Sequence, residues 1–276
     1  MSDRSVVSQA LRRVAGRFSA SRRRPGDATA ADPSAPSYVQ EYEQYVRRKL
    51  SDQKRNEALA EAIGGEFEAF GKIELAIVRE HGLLEPTGSL VDVGCGSGRL
   101  TKPMGSYLTS GSYLGTDVVD ELLDRAAELA GRDDFEFRKV RELVIPVPDD
   151  AVDVVCFFSV LTHLRHEQSF AYLQDARRAI RSGGRIVFSF LEFQVDSHWR
   201  VFESDLANLY GNRPLDQFIS RDGIETWARH LELEIVGIYP GDEPYVAIDE
   251  PITTSTGQVF SDSATLGQSL CVLAVP

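Results

Sequence analysis

Short apolar runs alternate with longer amphipathic segments through most of the chain after residue 85. Seven of the apolar runs have the length of β-strands and lie at 89–94, 112–118, 135–140, 153–160, 185–193, 233–239 and 269–275. Between them, residues at helical spacing predict helices that include 120–130, 167–181 and 220–231. Strands that alternate with helices predict an α/β fold, a doubly wound and mainly parallel seven-stranded sheet covered on both faces.

The pattern divides the chain into three regions. Residues 1–37 are a basic tail, residues 38–85 are predicted to be an N-terminal helical cap, and residues 86–276 form the main domain. Within that domain, 194–219 and 241–268 break the alternation of strands and helices. We predict that both are insertions beside the carboxyl ends of strands, where doubly wound proteins place substrate contacts.

The basic tail has three interpretations. It holds seven arginines against three aspartates, a net charge of +4; the whole chain carries −12, so the remainder carries −16. Val7, Leu11, Val14 and Phe18 fall at helical spacing, which is typical of an amphipathic helix that docks on anionic lipid or on a partner. One alternative is a disordered tail that binds nothing specific. Another, if the organism is eukaryotic, is a mitochondrial presequence, since the segment is rich in arginine and poor in acids. Docking on lipid would give the protein a peripheral contact with the inner membrane face.

Composition excludes several classes of protein. A chain of 276 residues that is 42% hydrophobic can bury a core, and three cysteines are too few for a disulfide framework. No apolar run approaches the roughly 20 residues that a membrane-spanning helix needs. The acidic body lacks the clustered Lys and Arg that bind nucleic acid. We therefore expect a soluble, cytoplasmic protein without a nucleic-acid partner.

The string from Val91 to Gly98 carries the clearest candidate chemistry. A strand runs into three glycines at alternate positions and then into a helix, so a ligand can lie against the backbone. Arg99 stands where the dinucleotide fingerprint needs a glycine, and the Gly-Lys-Ser/Thr ending of a P-loop is also missing. Asp92 would repel a pyrophosphate and suits a cationic ligand. Asp117 closes the second strand, where a carboxylate can accept hydrogen bonds from ribose hydroxyls.

These residues resemble the class I S-adenosylmethionine-dependent methyltransferases over about 89–190. Four elements recur in order: the Asp-x-Gly-x-Gly-x-Gly loop at 92–98, the acid at the end of the second strand, the run at 146–155 into the fourth strand, and the Gly-Gly turn at 183–184. The resemblance implies the Rossmann-like class I fold, and S-adenosylmethionine as the cofactor.

The resemblance also implies roles for individual residues. The loop would hold the methionine part of the cofactor, Asp117 the ribose, and Val118 would flank the adenine. Relatives often carry Gly-Asp-Ala before the fourth strand, whereas this chain has Val140, Arg141 and Glu142. Adenine recognition is therefore expected from Glu142 or from the backbone around it. The predicted cofactor-binding residues are Asp92, Gly94, Cys95, Gly96, Gly98, Asp117, Val118, Glu142 and Ser159.

The acceptor is expected beside the segments that follow the fourth and fifth strands. His163 lies where the family places residues near the reactive methyl, and it is our candidate base, because imidazole exchanges protons near neutral pH. Glu192 and His198, with Asp196 and Trp199, would suit a polar, hydroxylated acceptor such as a sugar. The alternative for His163 is a role in packing or in capping a helix. The alternative for Glu192, His198 and their two neighbours is that they belong to a solvated loop.

Two further features concern the surroundings of this site. His163 and His166 with Glu167 do not have the order of zinc-binding motifs, so no metal is expected. Aromatic residues in the helical region would either cover the site as a lid or belong to the core. They are Tyr38, Tyr42, Tyr45, Phe67 and Phe70.

We therefore predict an enzyme that moves the methyl group of S-adenosylmethionine to an oxygen of a carbohydrate or other small polar acceptor. A glycan or secondary-metabolite pathway would be its setting. One alternative is methylation of an amine or carboxylate of a small metabolite. Another is a cofactor-binding protein without turnover that recruits a partner through residues 1–37.

Overall fold

The computed structural model describes residues 37–52, 66–209 and 214–276. Its main sheet has seven strands, confirming the predicted fold class. The strands are β1 (Ser89–Val93), β2 (Ser112–Asp117), β3 (Glu136–Lys139), β4 (Val152–Phe157), β5 (Ile180–Phe190), β6 (Glu234–Tyr239) and β11 (Ser269–Ala274). Their order is β3-β2-β1-β4-β5-β11-β6, and only β11 runs antiparallel to its neighbours β5 and β6. The basic tail, up to residue 36, lies outside the described residues.

Seven α-helices are described. They are α1 (Ser37–Asp52), α2 (Phe67–Glu80), α3 (Thr101–Tyr107), α4 (Asp120–Ala130), α5 (His166–Ala179), α6 (Asp196–Ala207) and α7 (Arg221–His230). None of the described helices is long and apolar enough to cross a membrane.

The sheet separates two hydrophobic cores. Along β4, Val155 and Phe157 belong to the core beneath α5 and α7, whereas Val154 and Cys156 belong to the core beneath α2 and α3. Strand β1 is buried along its whole length. Burial on both faces explains why these strands read as continuous apolar runs rather than as alternating ones.

The strand order fixes the place of the site. Strand β1 pairs with β2 on one side and with β4 on the other, both in parallel. The chain reverses its direction across the sheet between these neighbours, and a crevice opens there at the carboxyl ends of the strands.

Both predicted insertions hold secondary structure of their own. The segment 194–219 contains α6, which the sequence pattern did not predict. The segment 241–268 contains four two-residue strands, which pair as β7 (Val246–Ala247) with β10 (Ser263–Ala264) and β8 (Ile252–Thr253) with β9 (Val259–Phe260). It packs on α2, where Glu66 accepts hydrogen bonds from Ser255 and Arg79 pairs with Asp249.

Helix α1 lies against the start of α4. Val46 packs with Val119 and Leu122, and the buried Glu43 carboxylate lies 3.0 Å from the Lys139 ammonium. These contacts hold the helix over the carboxyl ends of β2 and β3.

Candidate cofactor and acceptor site

A cavity of about 340 Å³ opens at the carboxyl ends of β1, β2 and β4, a size typical of small-molecule sites. The glycine loop and its neighbours line one side: Asp92, Val93, Gly94, Cys95, Gly96, Asp117, Val118 and Val140. The turn after β4 and two distant segments line the other: Phe158, Ser159, Val160, Thr162, His163, Leu164, Asp216 and Gln268. Helix α1 contributes Tyr42 and Tyr45.

Two glycines of the loop are required for different physical reasons. Gly94 has φ of +71° and its added Cβ would lie 2.5 Å from Cγ2 of Val160, inside the cavity wall. Gly98 has φ of +94°, and a Cβ there would lie 2.8 Å from Cα of Ala126. A side chain at Gly94 would therefore collide with Val160, a residue of the cavity wall. Gly98 does not line the cavity, contrary to the prediction that it contacts cofactor, and instead lets α4 approach the loop.

Asp92 is buried beneath the loop and holds a proton unusually tightly. The Tyr113 hydroxyl donates to it at 2.7 Å, and the Cys156 thiol lies 3.6 Å from its other oxygen. Burial raises the pKa of Asp92 from 3.8 to about 7, and the nearby Glu74 carboxylate adds to the shift. The hydrogen bond from Tyr113 only partly opposes it. A cationic ligand would favour the ionised form.

Asp117 ends β2 with both oxygens engaged by backbone. The amides of Gly96 and Val119 each donate to it at 3.0 Å. Burial raises its pKa to about 6, against the effect of these hydrogen bonds. The backbone N–H of Val118 also contributes a hydrogen bond, and because a carboxylate has about four acceptor positions, capacity for a hydroxyl donor remains. Val118, beside it, lines the cavity.

The cavity wall also contains a buried ion pair that the sequence did not predict. Arg99 donates from Nε to the Glu74 carboxylate at 2.9 Å, and its Nη2 contacts the same oxygen. Burial raises the pKa of Glu74, while Arg99 opposes the rise. Glu74 lies on the apolar face of α2, and an acid at such a position is a sequence signal that could have revealed the ion pair. With Asp92 and Asp117 it gives this side three carboxylates against one guanidinium.

His163 lies on the opposite side of the same cavity. Its Nδ1 is 2.7 Å from the carbonyl oxygen of Leu215 and 4.0 Å from the Asp216 carboxylate. A carbonyl accepts only, so Nδ1 carries the proton in the neutral ring and Nε2 is the acceptor. The ring of Tyr42 lies 5.7 Å from that of His163, and burial raises the pKa of Tyr42, which keeps its hydroxyl protonated.

Residues 91–188 match the family model of a methyltransferase domain. They form a methyltransferase domain. The seven-stranded sheet has the class I methyltransferase fold, and members of that class bind S-adenosylmethionine. A curated relative, an uncharacterised methyltransferase of Schizosaccharomyces pombe, is 30% identical over 148 residues, or 48% of this chain. The chain spans about half of that relative's length, 52%.

Solved structures show the same fold around the methyltransferase domain. A methyltransferase of Haloferax volcanii, solved with the Trm112 methyltransferase activator, has a TM-score of 0.59 at 18% identity, covering 87% of this chain and 98% of its own. An S-adenosylmethionine-dependent methyltransferase of Anabaena variabilis has a TM-score of 0.58 at 16% identity, covering 91% and 100%.

The structure corrects the predicted roles of Glu192 and His198, since neither lines the cavity of the methyltransferase domain. Arg221 binds the Glu192 carboxylate through two hydrogen bonds of 2.7 and 2.9 Å, and Ser269 adds a third. Burial alone would raise the pKa of Glu192, but these donors outweigh it and lower the pKa. His198, 1% exposed, is held between backbone atoms of Glu192 and Gly267. Both side chains are therefore engaged by protein groups outside the cavity, which assigns them a structural role.

Three other predicted residues can now be placed. The Glu142 side chain is exposed and does not line the cavity, and its carbonyl accepts the Tyr172 hydroxyl. Cys95 lines the cavity, but burial raises the pKa of its thiol, which therefore stays protonated. Ser159 also lines it, with φ of +58°.

Proposed function

We propose that this protein transfers the methyl group of S-adenosylmethionine to a hydroxyl oxygen of a small polar acceptor, such as a carbohydrate. One observation carries the proposal. A single cavity is lined both by the acidic glycine-loop side and by His163, whose Nδ1 hydrogen bond leaves Nε2 as an acceptor. The same cavity can therefore hold a cation and a proton acceptor.

The residues of the glycine-loop side fit this cofactor. Its sulfonium makes the methyl group electrophilic, and its methionine end carries a further ammonium. Asp92 and Glu74 supply negative charge, and the Arg99 guanidinium can balance a carboxylate. Asp117 keeps acceptor capacity for a ribose hydroxyl. Tyr42 and Tyr45 cover the cavity from α1 and would limit the entry of water.

His163 is the group that would take the proton of the acceptor hydroxyl. A hydroxyl oxygen gains nucleophilicity when a positioned base accepts its proton. The Leu215 carbonyl orients the ring, and the Asp216 carboxylate at 4.0 Å would stabilise the imidazolium that forms. Methylation of an amine or carboxylate would need no such base.

The evidence that the acceptor is polar comes from the residues of the cavity wall. Glu192 and His198, which suggested a sugar at first, are engaged elsewhere. Thr162, Asp216 and Gln268 line the acceptor side with His163, and each carries hydrogen-bonding groups.

Label transfer tests the proposed reaction. The purified protein is incubated with S-adenosylmethionine labelled in its methyl group and with fractions of host extract, and the labelled fraction is then treated with alkali. Alkali-stable label in a carbohydrate-containing fraction supports an ether on a hydroxyl. Alkali-labile label would indicate a carboxyl acceptor, and label in small amines would indicate nitrogen.

A His163→Ala variant tests the base. We expect kcat to fall by about 100-fold, within the usual contribution of a general base, while S-adenosylmethionine affinity stays within about threefold. His230→Ala, at the exposed end of α7, is the matched control and should keep full activity. Activity within a few-fold of wild type in His163→Ala would argue for an amine or carboxylate acceptor.

A further inference from the structure

Gln268 reaches the cavity from a part of the chain far from the methyltransferase family match. It lies in the turn between β10 and β11, and it lines the acceptor side together with Ser159 and His163. No sequence pattern pointed to it. Its side chain is held by a set of hydrogen bonds that fixes which end of the amide is engaged.

The two serines beside Gln268 orient its amide. The Ser189 hydroxyl accepts the backbone N–H of Ser159 at 2.8 Å and donates its own proton to Gln268 Oε1 at 2.6 Å. The Ser159 hydroxyl donates to the same oxygen at 3.3 Å. With the carbonyl end bound to the wall, the Nε2 group, which carries two N–H donors, is the end available to a ligand in the cavity.

The turn that carries Gln268 is anchored on both sides. The Tyr245 hydroxyl donates to the Gln268 carbonyl at 3.1 Å, and His198 Nε2 lies 3.0 Å from the Gly267 carbonyl oxygen. Ser269, the next residue, donates to the buried Glu192 carboxylate. Glu192 and His198 therefore act as positioning residues for this turn, which explains why two polar groups are buried outside the cavity.

We propose that Gln268 binds the acceptor, its Nε2 donating a hydrogen bond to an acceptor oxygen and so orienting the reactive hydroxyl toward His163. This inference rests on the proposed methyl transfer to a small oxygen-bearing acceptor. Rigid support on both sides of a donor is what orientation of a substrate requires, because a loosely held group loses the geometry it is meant to impose.

The Gln268→Glu variant separates binding from structure. Glutamate keeps an oxygen for both serine hydroxyls and has the same length, but it replaces the N–H donors by a second acceptor. Gln268→Met, which is neutral and lacks donors, is the second variant. Gln258→Glu makes the same chemical change at an exposed position of the same insertion and is the matched control.

The measurements use methyl-labelled S-adenosylmethionine with the extract fraction that wild type labels, and calorimetry with S-adenosylhomocysteine. We expect both Gln268 variants to need at least tenfold more of that fraction for half-maximal labelling, the range of a lost buried hydrogen bond. S-adenosylhomocysteine affinity should stay within about threefold of wild type. Gln258→Glu should match wild type in both.

Other results would overturn the inference in distinguishable ways. Unchanged labelling by Gln268→Glu would show that its two serine hydrogen bonds are its only function. A matching loss of S-adenosylhomocysteine affinity would assign Gln268 to the cofactor. Absence of label with wild type in every fraction would overturn the proposed methyl transfer, and this inference with it.

Discussion

Replacing Asp92 with asparagine should stabilise the ligand-free protein and weaken its binding of S-adenosylmethionine. Asp92 is 3% exposed, and burial raises its pKa from 3.8 to about 7. A shift of that size means that, at high pH, the buried and ionised Asp92 side chain lowers the free energy of unfolding by about 4 kcal/mol. Asparagine has nearly the same shape without the charge, and its carbonyl can accept the Tyr113 hydroxyl that now donates to Asp92 at 2.7 Å.

The effect of Asp92 on the free energy of unfolding changes with pH between about 4 and about 7. The folded protein binds the Asp92 proton more tightly than the unfolded chain, so the contribution of Asp92 to the free energy of unfolding falls as pH rises from about 4 to about 7. At pH 8 we expect Asp92→Asn to be about 2 kcal/mol more stable than wild type, because the lost Cys156 contact offsets part of the gain. At pH 5, where Asp92 is protonated, the difference should shrink to within about 0.5 kcal/mol.

Binding should change in the opposite direction. A unit charge pair about 5 Å apart at an effective dielectric constant of about 20 contributes about 3 kcal/mol, which sets an upper limit of about 100-fold. We expect Asp92→Asn to bind S-adenosylmethionine at least tenfold more weakly at pH 8, since desolvation consumes part of that energy. Wild-type affinity should fall as pH drops below about 7, and the variant should show a shallower dependence.

Urea unfolding at pH 5 and pH 8 and calorimetric titration with S-adenosylmethionine measure these quantities. Asp153→Asn is the matched control, because hydrogen bonds from Ser89 and Arg181 outweigh burial and lower the pKa of that carboxyl. Its loss should therefore destabilise the protein at pH 8. An equal destabilisation of Asp92→Asn at both pH values would refute the reasoning, since it would show that Asp92 supports the fold through its shape and hydrogen bonds rather than straining it through its charge.

Two further predictions concern the walls of the cavity. Gly94→Ala should abolish S-adenosylmethionine binding, because the added Cβ would lie 2.5 Å from Val160. The control Gly183→Ala has φ of +77° but nothing within 4 Å of the added Cβ, so it should lower the free energy of unfolding by only about 1 kcal/mol. Equal effects of the two variants on binding would contradict the steric argument. Tyr42→Ala should raise the S-adenosylmethionine dissociation rate by about threefold to tenfold in stopped-flow measurements, the effect of losing one aromatic contact. Gln44→Ala, on the exposed side of α1, should leave that rate unchanged, and a Tyr42→Ala rate equal to wild type would show that the helix does not retain the cofactor.

The aromatic residues of the predicted helical cap show what the sequence pattern predicted and what it left undecided. Helical spacing over 38–81 was visible, and the structure has α1 and α2 there. Whether the aromatic residues formed a lid or core depended on contacts. Tyr42 and Tyr45 line the cavity, whereas Phe70 packs against the core beneath α2. Residue 38 has no described side chain, so its predicted part in a lid stays a prediction.

The sequence by itself determined the sheet, the glycine loop and the acid at the end of β2. These features arise from local rules: a run of apolar residues buries on both faces, and glycines at alternate positions permit positive φ. Asp92 and Asp117 could be found because each stands at a fixed short distance from the loop or the strand end.

Only the tertiary structure decided how the remaining site residues meet. Arg99 pairs with Glu74 across 25 positions, His163 with Leu215 across 52, and Ser159 with Gln268 across 109. Packing also places Glu192 and His198 outside the cavity lining, although both lie soon after the end of β5 in sequence. Spacing along the chain determines the direction in which side chains point relative to one another over a few residues only. The partner of a side chain at the end of a strand is determined by the distant segment that packs there, and that depends on the whole fold.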